Sequence, residues 1–277
     1  MRLSGEAPEP AEPGWPAAAA STAFEPGVQK WIGVLGRLRD VVRQEVLAAQ
    51  LASLPQLAGR PARVLDVGCG QGTQALRLAR AGHQVTGLDA SAELLGRCRA
   101  ALAGESPDVA ARVALIHGPG ERAPELTPGP FDAVLCHGVL MYLDDEAPML
   151  AALTAVTAPG AVLSLLVRNG MATAMRDGLR GNWAAALAAF DTACYVNRLG
   201  LPAHAHTPDV LDRMLEPLGW RREAWFGVRI FTDHLDQPPP ARPERDALLA
   251  AELEAGRRDP YRGVAALLHL TYARPDG

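Results

Sequence analysis

The chain has 277 residues, of which 48% are hydrophobic and 21% charged, with a formal net charge of -4, a composition that suits one soluble α/β domain with additions. No run approaches the roughly 20 consecutive apolar residues of a membrane span, and the N-terminus lacks a basic region followed by an apolar core and a cleavage site, so a cytoplasmic protein without a membrane partner is expected. Cys69, Cys98, Cys136 and Cys194 are scattered without a C-x-x-C pair, so neither a disulfide framework nor a zinc knuckle is expected and the thiols read as reduced core or near-core groups.

Residues 1–27 are rich in Pro, Ala, Gly and Glu and lack periodicity, which predicts a disordered or loosely attached tail; the domain proper is expected over 28–277. Across 28–54, Trp31, Val34, Leu35, Leu38, Val41, Val42, Val46 and Leu47 recur at three- and four-residue spacing, predicting one helix that lies over a ligand cleft as a lid. Arg37, Arg39 and Arg43 project from it.

The stretch Val64-Leu65-Asp66-Val67-Gly68-Cys69-Gly70-Gln71-Gly72 is a short β-prone run ending in closely spaced glycines. Glycines remove the Cβ atoms that would hold a ligand off the backbone. A helical pattern follows from Gln71 with Ala75, Leu76, Leu78 and Ala79, so the first amides of that helix face the ligand. Alone, such a triplet fits nucleotide-binding, flavin and plain tight-turn readings. Asp89 ends a second strand about 20 residues past the glycines, the offset at which an acid accepts hydrogen bonds from ribose hydroxyls. The two strand ends together describe a site for a nucleoside sugar.

From Ala62 strand and helix patterns alternate as in a doubly wound sheet. Strands are expected at about 62–67, 84–88, 112–117, 131–136 and 161–168, and helices near 71–81, 91–103 and 146–157. Ligands of such sheets sit at the carboxyl ends of the strands. That rule selects Gly68, Asp89, the Gly118-Pro119-Gly120-Glu121 segment, His137 and Arg168-Asn169. An insertion at 171–206, helical over Trp183–Phe190 and otherwise turn-like, is expected to wall the substrate. A helix at 208–218, a strand at 222–231, a proline-rich loop at 238–243, a charged helix at 244–256 and a final strand at 266–273 complete the chain.

DVGCGQG followed by GLDAS resembles the class I S-adenosylmethionine-dependent methyltransferases. A nicotinamide reductase would space its glycines G-x-G-x-x-G without the preceding acid, and here the third glycine comes too early. The later segments FDAVLCHGVLMYL with Asp144, AVLSLLVRNG, GVRIFTDHL and DPYRGVAALLHLTYARP are similar to the branch that methyl-esterifies the carboxymethoxy group of tRNA wobble uridine. The resemblance implies a Rossmann-like, mostly parallel seven-stranded sheet with one antiparallel edge pair, an N-terminal lid helix and a helical insertion after the fifth strand. It implies S-adenosylmethionine as cofactor, S-adenosylhomocysteine as product and tRNA as partner. It further implies that Arg39, Asp66, Gly68, Cys69, Gly70, Asp89, Ala90, Gly120, Glu121 and His137 hold the cofactor. Arg39 would pair with the cofactor carboxylate.

Methyl transfer from a sulfonium is an in-line displacement that needs orientation more than acid-base groups. A carboxylate acceptor, with a reference pKa near 4, is ionised at neutral pH and needs no general base. Arg168 and Arg198 are the expected cations for it, with Tyr142, Asn169 and Tyr195 as hydrogen-bonding neighbours. The insertion departs from the tRNA branch: where those enzymes carry a lysine run and a tyrosine and arginine near its end, this chain reads AFDTACYVNRLGLPAHAHTPD, with His204 and His206 in those places. Two such histidines without a third ligand make no metal site. A basic face for RNA would have to come from Arg37, Arg39, Arg43, Arg176, Arg180 and Arg198. Two alternatives therefore stand beside the tRNA reading, a small-molecule acceptor and a non-catalytic cofactor-binding protein.

Overall fold

The computed structural model describes residues 23–274, so the predicted tail lies outside the described residues except for 23–27. Glu25–Gly27 form a 3-10 turn that is docked, not loose. A side chain at Gly27 would meet Leu201 at 2.6 Å, and the Phe24 ring lies 5.1 Å from that of Tyr142.

In chain order the elements are α1 (Val28–Ile32), α2 (Leu38–Ala52), β1 (Arg63–Val67), α3 (Thr73–Arg80), β2 (Gln84–Asp89), α4 (Ala92–Leu102), α5 (Pro107–Ala110), β3 (Val113–His117), α6 (Ala123–Leu126), β4 (Phe131–His137), α7 (Ala147–Ala155) and β5 (Thr157–Arg168). There follow α8 (Met175–Leu179), α9 (Trp183–Ala188), β6 (Cys194–Val196), β7 (Pro202–His204), α10 (Pro208–Leu215), β8 (Arg221–Val228), α11 (Glu244–Ala255) and β9 (Leu267–Ala273). Seven strands form one sheet in the order β3-β2-β1-β4-β5-β9-β8. The first five run parallel. Such strands are buried on both faces, and Val64, Leu65 and Val67 of β1 are at most 1% exposed.

The expected antiparallel edge pair is β9 and β8. β9 is antiparallel to β5 and to β8, so the reversed strand lies inside the sheet and β8 occupies the edge. Helix α7 ends sooner than expected, at Ala155, and β5 begins at Thr157. The insertion holds a β6/β7 hairpin where turns alone were expected.

The helix expected over 28–54 is two helices. Gly36 at φ 74° occupies the left-handed region that side chains avoid, and the chain turns there. Both line the cavity, α1 through Trp31 and α2 through Arg39, Asp40, Arg43, Gln44 and Leu47. Helix α2 also buries Leu38, Val42, Val46, Leu47 and Leu51 in the cluster that holds Val64, Ala133 and Leu166, so it is a layer of the domain as well as a wall of the cavity. Leu65, Val67, Leu88, Leu150 and Leu163 belong to the other core cluster. β1 has β2 on one side and β4 on the other, and this switch in strand order opens a crevice at the carboxyl ends.

Candidate active site

A cavity of about 610 Å³ fills that crevice. At its first end the wall is backbone. Gly68 follows β1 at φ 70°, and a Cβ there would lie 2.2 Å from Val139 Cγ2, so no other residue fits without rebuilding the turn. Gly70 N donates to Asp89 Oδ2 at 2.7 Å and Ser91 N to Asp89 Oδ1 at 2.8 Å, which fixes the carboxylate at the end of β2. Burial raises the Asp89 carboxyl, opposed by those two amides. Burial, reinforced by the charge of Asp89, pushes Asp66 up to about 7.

Ala90, Gly120 and Glu121 continue this wall. A side chain on Gly120 would fall 2.6 Å from both Met149 Cε and Val67 Cγ1, so the bare backbone stays open to a ligand. Cys69 also lines the cavity, but its Sγ backs onto Gly87 of β2, where a Cβ would approach it to 2.9 Å, and burial raises its thiol. It offers its backbone, not a nucleophile.

His137 ends β4 beside Gly68, since Val67 pairs with Cys136. Its Nε2 lies 2.9 Å from Ser164 Oγ, which is 2.8 Å from His269 Nε2, and His269 Nδ1 is 2.8 Å from Gln50 Oε1. The amide oxygen can only accept, so His269 carries its proton on Nδ1. Ser164 then donates to His269, and His137 donates to Ser164. Burial, with His269 and Arg43 nearby, holds His137 well below the usual imidazole range. A neutral ring thus borders the cavity.

Over this end lies the α1 segment. Trp31 Nε1 donates to Gln71 Oε1 at 3.1 Å, and the Arg43 guanidinium stacks 4.4 Å from the Trp31 ring centre. Arg39 lines the cavity and is 7% exposed, but it is shared: its Nη1 donates to Asp233 O at 3.4 Å and its Nη2 lies 3.7 Å from Asp236.

At the opposite end the wall is charged. Arg168, at the end of β5, and Arg229 flank the buried Asp233 at 3.4 Å and 3.3 Å, and Arg176 lines the same space. Burial would raise the Asp233 carboxyl, but Arg229, Arg168 and Arg176 hold it below the usual range. The Nε atoms of all three arginines are buried without a hydrogen-bond partner among the described residues. The Tyr195 ring lies 5.7 Å beneath the Arg168 guanidinium. Tyr142 lines the cavity and accepts from Asn197 Nδ2 at 2.9 Å.

One expected substrate neighbour stands elsewhere. Asn169 is fully buried and donates to Gly263 O and Ala265 O while accepting from Met171 N. Its amide is spent on backbone, which corrects the expectation that it meets substrate. Arg198 lines the cavity near its rim and bonds Asp236 Oδ2 at 3.1 Å, not Asp233. Arg176 was expected only as part of a basic face for RNA, and neither Arg229 nor Asp233 received a role from the sequence. The last two fall in GVRIFTDHL, and Arg229 adopts φ 62°, a conformation that spacing does not reveal.

Backbone-lined glycine turns, an amide-oriented carboxylate and space between them fit a ligand that joins an amino acid to a nucleoside. A family model described as a methyltransferase domain matches residues 64–160. Magnesium protoporphyrin IX methyltransferase from Synechocystis PCC 6803, solved with bound S-adenosylhomocysteine, superposes with a TM-score of 0.57 at 16% identity, covering 92% of this chain and 97% of that one. The glycopeptide N-methyltransferase solved with S-adenosylmethionine gives 0.52 at 14% identity over 84% and 94%. With the topology above, these likenesses define the class: the chain belongs to the class I S-adenosylmethionine-dependent methyltransferases. Within that class it is similar to the tRNA 5-carboxymethoxyuridine methyltransferase of Escherichia coli (strain K12), 30% identical over 243 residues that cover 87% of this chain and 92% of the relative. It is also similar to the ubiquinone biosynthesis O-methyltransferase of Xanthomonas campestris pv. campestris (strain B100), 33% identical over 197 residues, 71% and 73% of the two chains. Among the described residues no helix is long and apolar enough to cross a membrane, and no group of three or more His, Cys, Asp or Glu could hold a metal.

Proposed function

We propose that this enzyme methylates a carboxylate, and that the acceptor is the carboxymethoxy group of a tRNA wobble uridine. The observation that carries the reading is a cluster of three arginines at one end of the cavity. Arg168 and Arg229 both pair with Asp233, and Arg176 lines the same wall with Asp177, so three guanidiniums meet two carboxylates at the acceptor end of the cavity. Buried cations in excess call for an anion to complete them, and a carboxylate accepts from guanidinium donors in a defined plane. A phenolic acceptor, by contrast, would have to lose a proton beside these cations and gains nothing from their surplus.

When bound, S-adenosylmethionine supplies an electrophilic methyl group on a positively charged sulfur. Gly68, Gly70 and Asp66 are suited to its amino-acid part, Asp89 and Ala90 to the ribose, Gly120 and Glu121 to the adenine side. His137, kept uncharged by burial, adds no repulsion toward the sulfonium. Arg168 and Arg229 hold the acceptor oxygen in line while the Trp31 and Phe24 rings keep water from the mouth. No proton moves, because the acceptor arrives ionised.

The test uses S-adenosylmethionine labelled in its methyl group and bulk tRNA from a strain that makes carboxymethoxyuridine but lacks the esterifying enzyme. Label that enters tRNA and is released by mild alkali is the expected result. No label in tRNA, with cofactor binding intact, would transfer the reading to a small carboxylate.

A further inference from the structure

Three residues beyond Asp233 a second acid gathers arginines at the rim. Asp236, with its side chain 44% exposed, faces Arg37 Nε at 3.8 Å, Arg39 Nη2 at 3.7 Å and Arg198 Nη2 at 3.1 Å. Only Arg198 is within hydrogen-bond distance of it. Arg37 lies at the start of α2, Arg198 in the turn between β6 and β7, and Asp236 after β8, so three remote segments converge to place three cations on one carboxylate. One exposed aspartate neither neutralises nor satisfies them. Arg37 and Arg198 keep exposed side chains of 49% and 31%, with guanidinium donors free for a second oxyanion from solvent.

The geometry points to a phosphodiester site: Arg37 and Arg198, steadied by Asp236, grip a backbone phosphate of the acceptor RNA while the arginines at Asp233 take its carboxylate. This rests on the tRNA reading above. Asp233 and Asp236 are three residues apart, at most about 11 Å along an extended chain, a separation comparable with the reach from a modified base edge to a nearby phosphate. A site of this kind reads no base; it adds affinity and register. It also supplies the positive footprint that the net charge of -4 conceals, concentrated at the rim and not spread over a face.

The double variant Arg37→Gln/Arg198→Gln tests it. Expected is a rise of roughly tenfold in KM for tRNA and a slope of log affinity against log salt that is less negative by about 0.7 for each arginine removed. Affinity for S-adenosylhomocysteine, read by calorimetry, stays at the wild-type value. A drop in that affinity would assign the pair to the cofactor carboxylate and overturn the proposal. So would an unchanged KM and salt slope on tRNA that the wild type does methylate. If the wild type labels no tRNA at all, both this site and the tRNA reading fall; if it labels tRNA and only the slope is unmoved, this site alone falls.

Discussion

At the carboxyl ends of β1 and β2 the cavity wall is backbone, Gly68 and Gly70 with the Asp89 carboxylate held by two amides; beside β5 it is guanidinium, with Arg168, Arg176 and Arg229 around Asp233. The first end is centred on residues 66–90, with Gly120, Glu121 and His137 completing it, and its form is set by the local turn. The second draws on residues more than 60 positions apart and depends on the whole fold. A wall of the first kind suits a ligand common to many enzymes, and one of the second kind can change with the acceptor while the turn is left alone. If this division holds, variants at one end should move cofactor affinity and variants at the other should move acceptor kinetics.

The largest effect is expected at the charged end. Asp233→Ala leaves Arg168 and Arg229 without their shared carboxylate, and removal of one partner from a buried ion pair costs about 3–5 kcal/mol. A thermal melt should show Tm lower by roughly 10 °C in a domain of this size. An unshifted Tm would mean that the arginines turn out to water and need no counter-ion. Arg229→Met keeps the volume and removes a cation. It should lower kcat/KM by about 10- to 100-fold, the scale of a lost charged hydrogen bond, with affinity for S-adenosylhomocysteine unchanged. Asp89→Ala should do the reverse, weakening S-adenosylhomocysteine by more than about tenfold. Titration showing equal affinity would remove Asp89 from the cofactor site.

The same contrast explains what could be read from the sequence. Five parallel strands and the glycine turn were legible because their determinants are contiguous: an apolar run, glycines, an acid about 20 residues on. The break at Gly36 was not, since Trp31, Val34, Leu35 and Leu38 keep helical spacing across it, and only the φ of one glycine marks the turn. Asn169 was placed at the right strand end, but which way its amide faces is decided by Gly263 and Ala265, nearly a hundred residues later. The Arg229 and Asp233 pairing fails to register for the same reason. Charged residues in a loop look solvated until the fold buries them.

Asp66 offers the smallest effect and the finest test, because it lies beneath the backbone end and carries a charge of its own. Its carboxyl is pushed up to about 7 by burial and by Asp89, against an ordinary value near 3.9. A carboxyl raised on folding binds its proton more tightly in the native state, so it lowers stability as pH rises from about 4 to 7. A ligand bringing an ammonium group favours the carboxylate instead. Below pH 7, then, binding of S-adenosylhomocysteine should expel a proton from Asp66, and affinity should climb with pH and level off above 7. Calorimetry at pH 6 in two buffers of different ionisation enthalpy measures that proton directly, and Asp66→Asn should abolish its release. Heats equal in both buffers for the wild type would show that binding leaves the protonation of Asp66 unchanged, so that the ligand's ammonium does not draw on this carboxyl as a titrating partner and the backbone end holds the cofactor by its amides and Asp89 alone.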